Sequence, residues 1–352
     1  MKFAINLSAK YIIIGAYINS VSIFCQFPLT GLMDVKPKRF SELPKSVFDI
    51  VHDYEFEGHW DRIRASAYLD SAKFYGFKVL MGIDRNVVLK VDKKIIKRII
   101  QALKNHPALW GWYISDEPEL RGISPKHIAE INRLIQIEDL LHPTVITLNK
   151  PESFGHYSGT VDIILTDFYP IPKFSLSDFS QRVSFFENSM KNGESGYVIQ
   201  AYDKRYYRNK EGFHQRPSLE EERYMILRTL IKKPKVILFF SLHASNTEYI
   251  RLVTVPAIKS ALDLWREIGE FEAAEPELNM LNDSCVEQFF FQFKEDQKTI
   301  FLNPHNYPCQ IKLSNWQYRN NGELQILPLF EPLRREDNTI YLPPYECMIF
   351  EW

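Results

Sequence analysis

Between Phe27 and Leu242 the chain alternates short apolar runs with longer stretches whose apolar residues recur every three or four positions. The runs are "FPLTGLM" (27–33), "VFDIVH" (47–52), "FKVLMGI" (77–83), "ALWGWYI" (108–114), "TVITL" (144–148), "VDIILTD" (161–167), "GYVIQAY" (196–202) and "KVILFFSL" (235–242). Each is short and largely apolar throughout, which predicts eight parallel strands covered on both faces. The segments between them carry helical signatures. Residues 91–104 bring Ile95, Ile96, Ile99, Ile100 and Leu103 to one helix face. In "ISPKHIAEINRLIQIEDLL", Ser124 is placed to cap a helix whose first residue is Pro125. "PSLEEERYMILRTLIKK" opens with a capping box, Ser218 followed three residues on by Glu221. The stretch from Leu148 to Val161 is too short for a full helix and two loops, so that crossover is expected to be abbreviated. Eight strand–helix units in roughly 240 residues predict an α/β fold, a (β/α)8 barrel over residues 27–272. A doubly wound open sheet is the competing topology, but no glycine-rich phosphate-binding motif follows any of the strands.

After Ile268 the pattern changes. "EQFFFQF", "KTIFLNP", "CQIKLSNW", "GELQILPLF", "NTIYLPPY" and "CMIFEW" are short alternating runs separated by polar turns, which predicts a small antiparallel β domain over residues 273–352. The length of 352 residues suits one large domain with such an appendage. A net charge of −1 argues against a nucleic-acid partner or a polybasic membrane contact. The first 26 residues, with Lys2 ahead of an apolar stretch from Tyr11 to Phe24, resemble a secretory signal. That implies a secreted or periplasmic protein; if "YIIIGAYI" is instead the first strand, the protein is cytoplasmic. No other segment approaches the 18 apolar residues that a membrane span needs. Cys285, Cys309 and Cys347 allow one disulfide and one free thiol, or none, and no C-x-x-C pair suggests a zinc site.

Chemistry in such a barrel sits where the strands end. Strand two ends in His52, Asp53 and Tyr54, strand three in Asp84 and Arg85, strand four in Asp116 and Glu117. Asn149 follows strand five, Asp167 and Tyr169 strand six, Gln200, Tyr202 and Asp203 strand seven, and His243 and Asn246 strand eight. A ring of acids, amides, histidines and tyrosines suits a ligand with many hydroxyls, each needing a partner for its lost water. The bland alternative for Asp116 and Glu117 is the acidic first turn of a helix with Pro118 at its first position.

"HPALWGWYISDEP" resembles the strand-four motif of bacterial glycoside-hydrolase-like barrels, in which a glutamate after this strand is the general acid/base. "VDIILTDFYP" resembles their strand-six motif, "GYVIQAY" with "RPSLEEERYMILRTLI" their seventh strand and helix, and "IYLPPYECMIFE" the close of their trailing β domain. The resemblance covers most of residues 27–352 and implies a carbohydrate substrate and no cofactor. Glu117 is then the general acid, with Asp116 and Asp167 as the partner carboxylates. Glycoside cleavage needs one carboxylic acid to protonate the departing oxygen and usually a second carboxylate opposite. Trp110, Trp112 and Tyr113 nearby would raise the acid's pKa by desolvation, and Asp116 by its charge. His52, Tyr54, Trp112, Asn149, Tyr169, Gln200, Tyr202, Asp203 and His243 are the expected substrate-binding residues. The 25 Phe, 18 Tyr and 6 Trp suit sugar faces as well as core packing.

Strand seven departs from the pattern, because Gln200 stands where retaining enzymes of the large barrel clan place a glutamate nucleophile. Three readings stay open. Asp167 or Asp203 is the second carboxylate; or Asp116 and Glu117 act as in substrate-assisted hexosaminidases, the aspartate orienting an acetamido group; or the barrel binds glycans without cleaving them. "YDKRYYRNK" (202–210) is expected as a loop over the cleft rather than a nucleic-acid patch. The absence of an H-x-H near the first strand counts against a metal-dependent barrel, and only Lys150 approaches a Schiff-base position.

Overall fold

The computed structural model describes residues 27–202, 216–242, 247–268, 285–293, 296–312, 334–336 and 339–351. The N-terminal segment compared with a secretory signal lies outside them, as do Asp203, His243 and Asn246.

Eight parallel strands close into a barrel in chain order: β1 (Leu29–Leu32), β2 (Ile50–His52), β3 (Lys78–Gly82), β4 (Leu109–Asp116), β5 (Thr144–Leu148), β6 (Ile163–Asp167), β7 (Glu194–Gln200) and β8 (Val236–Phe240). Closure runs from β8 to β1, where Gly31 faces Leu238 in register. Met33, Ile50, Leu80, Tyr113, Val145, Ile163, Leu165, Val198, Val236 and Leu238 fill the interior. Their strand neighbours point outward into a second, larger core beneath the helices. This double burial explains why the strands carry no polar face. Gly196 keeps the interior closed, since a Cβ there would come within 2.4 Å of Leu165 Cδ2.

The helices follow the expected signals. α1 (Arg62–Tyr75) starts where Asp61 accepts from the Arg64 amide and stops at Gly76, at φ 77°. α2 (Lys93–Leu103) buries Ile96, Ile99, Ile100 and Leu103. α3 (Pro125–Glu138) is capped by Ser124, and α4 (Leu176–Ser189) by a capping box of Ser175 and Asp178. α5 (Leu219–Leu230) carries the expected box, with Ser218 N donating to Glu221 Oε2 at 2.8 Å and Glu221 N to Ser218 Oγ at 3.2 Å. α6 (Val255–Ile268) closes the barrel layer. The short crossover between β5 and β6 holds only a 3-10 turn (Pro151–Ser153) and one helical turn (Phe154–Tyr157).

The C-terminal residues form two antiparallel three-stranded sheets, ordered β14–β10–β9 and β11–β13–β12. These strands are β9 (Glu287–Phe293), β10 (Asp296–Leu302), β11 (Cys309–Lys312), β12 (Arg334–Glu336), β13 (Thr339–Leu342) and β14 (Cys347–Glu351). Alternation along β10 sends Ile300 and Leu302 to the barrel's core and Phe301 to a separate small core with Ile311, Ile340 and Met348. Cys285 and Cys309 are disulfide-bonded, and Cys347 is a buried free thiol.

Candidate active site

The open end of the barrel is built by the turn after β4. Asp116 ends the strand, and Glu117 then takes a left-handed backbone conformation at φ 44°. That conformation costs a non-glycine residue about 1–2 kcal/mol. It is held in place by the Glu117 amide, which donates to Thr147 O at 2.9 Å, and by Pro118, which opens a 3-10 turn ending at Arg121. The acidic first turn with Pro118 at its start is therefore present. Yet the Glu117 carboxylate does not cap that turn, and it has no hydrogen bond or ion pair among the described residues.

Asp116 is the better compensated acid. Arg121 Nη2 lies 3.0 Å from its Oδ2, and the Tyr113 hydroxyl 2.9 Å from its Oδ1. Burial, followed by the charge of Glu57, still raises its pKa to about 6, against the opposing pull of Arg121. Half-buried Glu117 is raised to about 7 by desolvation, then by Asp116 and Glu119. On β6, Asp167 is buried and accepts from Asn149 Nδ2 at 3.2 Å. Desolvation first, then Glu117 and Asp116, drive its pKa well above the ordinary carboxylate range. Three carboxyl groups thus crowd one field, and each disfavours the ionisation of the others.

An aromatic arc borders these acids. Tyr169 stacks on Phe240 at 5.5 Å between ring centroids, while Tyr202 and Tyr54 meet Phe240 edge-on at 5.5 and 6.0 Å. Tyr54, Asn149, Tyr169 and Phe240 are partly exposed at this end, and Tyr202 lies just beneath the surface. Near Tyr54, the Glu57 side chain lies against Gly82 at the end of β3. Gly82 makes room for it, as a Cβ there would sit 2.9 Å from Glu57 Cγ. Glu57 Oε1 in turn lies 3.3 Å from His52 Nε2.

Three expected ligand contacts are revised. Trp112 points outward from the barrel, is fully buried, and donates its indole N–H to Asp139 Oδ2 at 2.9 Å. Trp110 is the second residue of β4, at the end of the strand away from Asp116, so of the three aromatics expected around Glu117 only Tyr113 belongs to this site. His52 is fully buried between the edges of Tyr54 and Tyr113, at 4.6 and 4.8 Å. Gln200 is fully buried as well: its Oε1 accepts from the Ile171 amide and its Nε2 donates to the Ile171 carbonyl, both at 3.0 Å. It braces the loop after β6 rather than facing a ligand. Asp84 caps the helical turn Arg85–Lys90 and also accepts from the Trp60 amide.

Glu57, Arg121 and Phe240 were missed as site residues. Their signals are in the chain nonetheless: "DYEFEG" places three acids, Asp53, Glu55 and Glu57, directly after strand two, Arg121 stands one turn beyond Glu117, and Phe240 is the last residue of β8. Among the described residues no group of three or more His, Cys, Asp or Glu side chains is arranged to hold a metal ion.

No protein-family model matches the sequence, and no curated protein matches it. Solved structures do resemble it over nearly its whole length. Amy13B of Eubacterium rectale is 8% identical with a TM-score of 0.58, covering 90% of each chain. A family 39 glycoside hydrolase from the gut symbiont Bacteroides cellulosilyticus WH2 is 9% identical with a TM-score of 0.56, covering 92% of this chain and 80% of that one. The α-amylase of Geobacillus thermoleovorans, solved with acarbose, is 10% identical with a TM-score of 0.56 and 90% coverage of both. The likeness is one of fold. The chain shares the (β/α)8 barrel found in these glycoside hydrolases.

Proposed function

We propose that this protein is a glycoside hydrolase acting on an oligo- or polysaccharide, with Glu117 as the general acid. The observation that carries the reading is the contrast between two adjacent carboxyl groups. Asp116 has a guanidinium and a phenol to stabilise its charge, whereas Glu117 has neither and is raised to about 7. Environments that push two neighbouring acids apart assign them opposite duties. Near neutral pH Glu117 keeps a proton for the departing glycosidic oxygen, while Asp116 is the member that ionises. Gln200 is committed to Ile171, so the described part of strand seven offers no carboxylate nucleophile. Among the described carboxylates Asp116 is the anionic partner in this reading, either orienting a substrate acetamido group or acting on the sugar itself, with Asp203 the other candidate. Asp167 is held neutral by burial and shapes the pocket as a donor. Tyr54, Tyr169, Tyr202 and Phe240 offer ring faces and hydroxyls to the sugar. The disulfide Cys285–Cys309 suits an oxidising compartment, which agrees with export through the N-terminal segment.

The test is hydrolysis of a panel of aryl glycosides, N-acetylhexosaminides included, by the wild type and Glu117→Gln. Turnover confined to N-acetylated substrates and lost in the variant selects the substrate-assisted mechanism. Turnover of plain hexosides, equally lost, calls for a second carboxylate as base or nucleophile, to be sought among Asp116, Asp167 and Asp203. Glycan binding without turnover in the wild type replaces the hydrolase with a carbohydrate-binding barrel.

A further inference from the structure

Glu119 belongs to the turn after β4 but bonds to the loop after β5. Its Oε1 accepts from two successive backbone amides, those of Asn149 at 2.5 Å and Lys150 at 2.9 Å. Asn149 then turns its side-chain amide onto Asp167 Oδ1 at 3.2 Å. A second latch runs the other way, from the Glu117 amide to Thr147 O at 2.9 Å. The turn carrying Glu117 and the loop facing Asp167 are thus tied at two points, and Glu119 is the only side chain in that pair of ties.

The second oxygen of Glu119 is buried without a hydrogen bond among the described residues. Among the described residues no cation is in contact with it. The guanidinium of Arg182, on α4, is held over Phe168 at 4.9 Å and Phe154 at 5.6 Å, and feels Glu119, Glu152 and Asp167 at a distance. The charged groups facing Glu117 are Asp116 at the end of β4, Glu119 and Arg121 in the turn, and Asp167 on β6. Those around Glu119 are Glu117, Arg182, and the Tyr157 phenol of the β5–β6 crossover.

We propose that Glu119 is the positioning residue of this site, fixing Asn149 against Asp167 and holding its carboxylate two residues from Glu117. The assignment rests on the reading of Glu117 as the acid, but it goes further: a residue that never touches the substrate holds the loop facing Asp167 and adds its charge to the field at Glu117, after burial and Asp116. The two backbone N–H groups hold the Glu119 carboxylate in this place. Its field then acts on Glu117 whether or not a ligand is bound.

Two variants, read without any turnover, separate this assignment from the enzymatic one. Protonation of Glu117 is followed by pH-dependent carbodiimide labelling and peptide mass spectrometry in the wild type and in Glu119→Gln. The amide oxygen of the glutamine can still accept the two backbone bonds, so only the charge is lost. The labelling midpoint of Glu117 is expected to fall by about half a unit or more. In Glu119→Ala, hydrogen exchange at the Asn149 and Lys150 amides is expected to quicken about tenfold as their shared acceptor disappears. An unchanged midpoint in Glu119→Gln overturns the assignment, and so does unchanged exchange in a folded Glu119→Ala. If the alanine variant does not fold, the glutamine midpoint decides alone. A wild type that labels as expected but cleaves no glycoside would remove the hydrolase reading and leave the role of Glu119 standing.

Discussion

Two clusters of buried acids differ in how their charge is met. Along the inner face of α5, each carboxylate has a dedicated donor. Arg223 Nη2 lies 2.6 Å from Glu346 Oε1, and the Tyr224 hydroxyl donates to Glu287 Oε2 at 2.8 Å. Arg228 stands 3.5 Å from Glu287 while donating to Ser180 Oγ and Ser184 Oγ, both at 2.6 Å. At the open end of the barrel, among the described residues, Arg121 contacts Asp116 alone, and neither Glu117 nor Asp167 has a cation in contact. The first arrangement fastens the β domain to the barrel. The second leaves carboxyl groups whose charge is poorly met at an open end of the barrel, the kind of arrangement in which reactive groups are found.

Breaking a pair in the first cluster should have the largest effect on folding. Arg223→Ala strands the buried Glu346 and is expected to cost about 3–5 kcal/mol in urea unfolding. Activity per folded molecule should be unchanged. Glu222, also on α5, is the exception in the first cluster, having no cation in contact among the described residues, and pH exposes it. Its carboxyl is buried beside the Tyr249 hydroxyl at 2.5 Å, and desolvation raises its pKa from 4.5 to about 8. The folded state therefore favours the protonated form, so its stabilising contribution is complete below about pH 4.5 and is lost as pH rises to about 8. Glu222→Gln should flatten that loss, by a few kcal/mol at order of magnitude, when urea midpoints at pH 5 and 8.5 are compared.

A smaller effect tests strand seven. In Gln200→Glu the new carboxylate cannot donate to the Ile171 carbonyl, so about 1–3 kcal/mol of stability should disappear without any gain in turnover. A gain would mean that strand seven can still host the nucleophile. The finest probe is the pH profile. With Asp116 ionising near about 6 and Glu117 holding its proton to about 7, kcat/KM should be bell-shaped with its maximum between them. Arg121 lowers both values, so Arg121→Met should move both limbs to higher pH. An unmoved profile would detach the limbs from this pair.

The barrel is legible in the sequence because strands buried on both faces leave near-continuous apolar runs. The same property hides which face each residue takes. Trp112 and Tyr113 are neighbours in one such run, yet one reaches Asp139 in the outer core and the other Asp116 in the site. The pairing of β3 with β4 also shifts register between Val79 and Leu80, so counting along β4 does not recover its facing. Glu117 is legible because it follows the strand and precedes a proline. Gln200 is legible as a strand end, but its engagement with Ile171 depends on a loop 29 residues away and has no local signal. Glu57 enters the site only because Gly82 lacks a side chain, a relation between two units that no single stretch displays.

The central claim is that Glu117 delivers a proton to the leaving group. It is tested most directly by comparing a phenyl glycoside with its 2,4-dinitrophenyl counterpart in the wild type and Glu117→Gln. A good leaving group needs little protonation, so the variant should lose about 100- to 10,000-fold on the phenyl substrate and far less on the dinitrophenyl one. Equal losses on both, or no loss on either, would contradict the role assigned to Glu117.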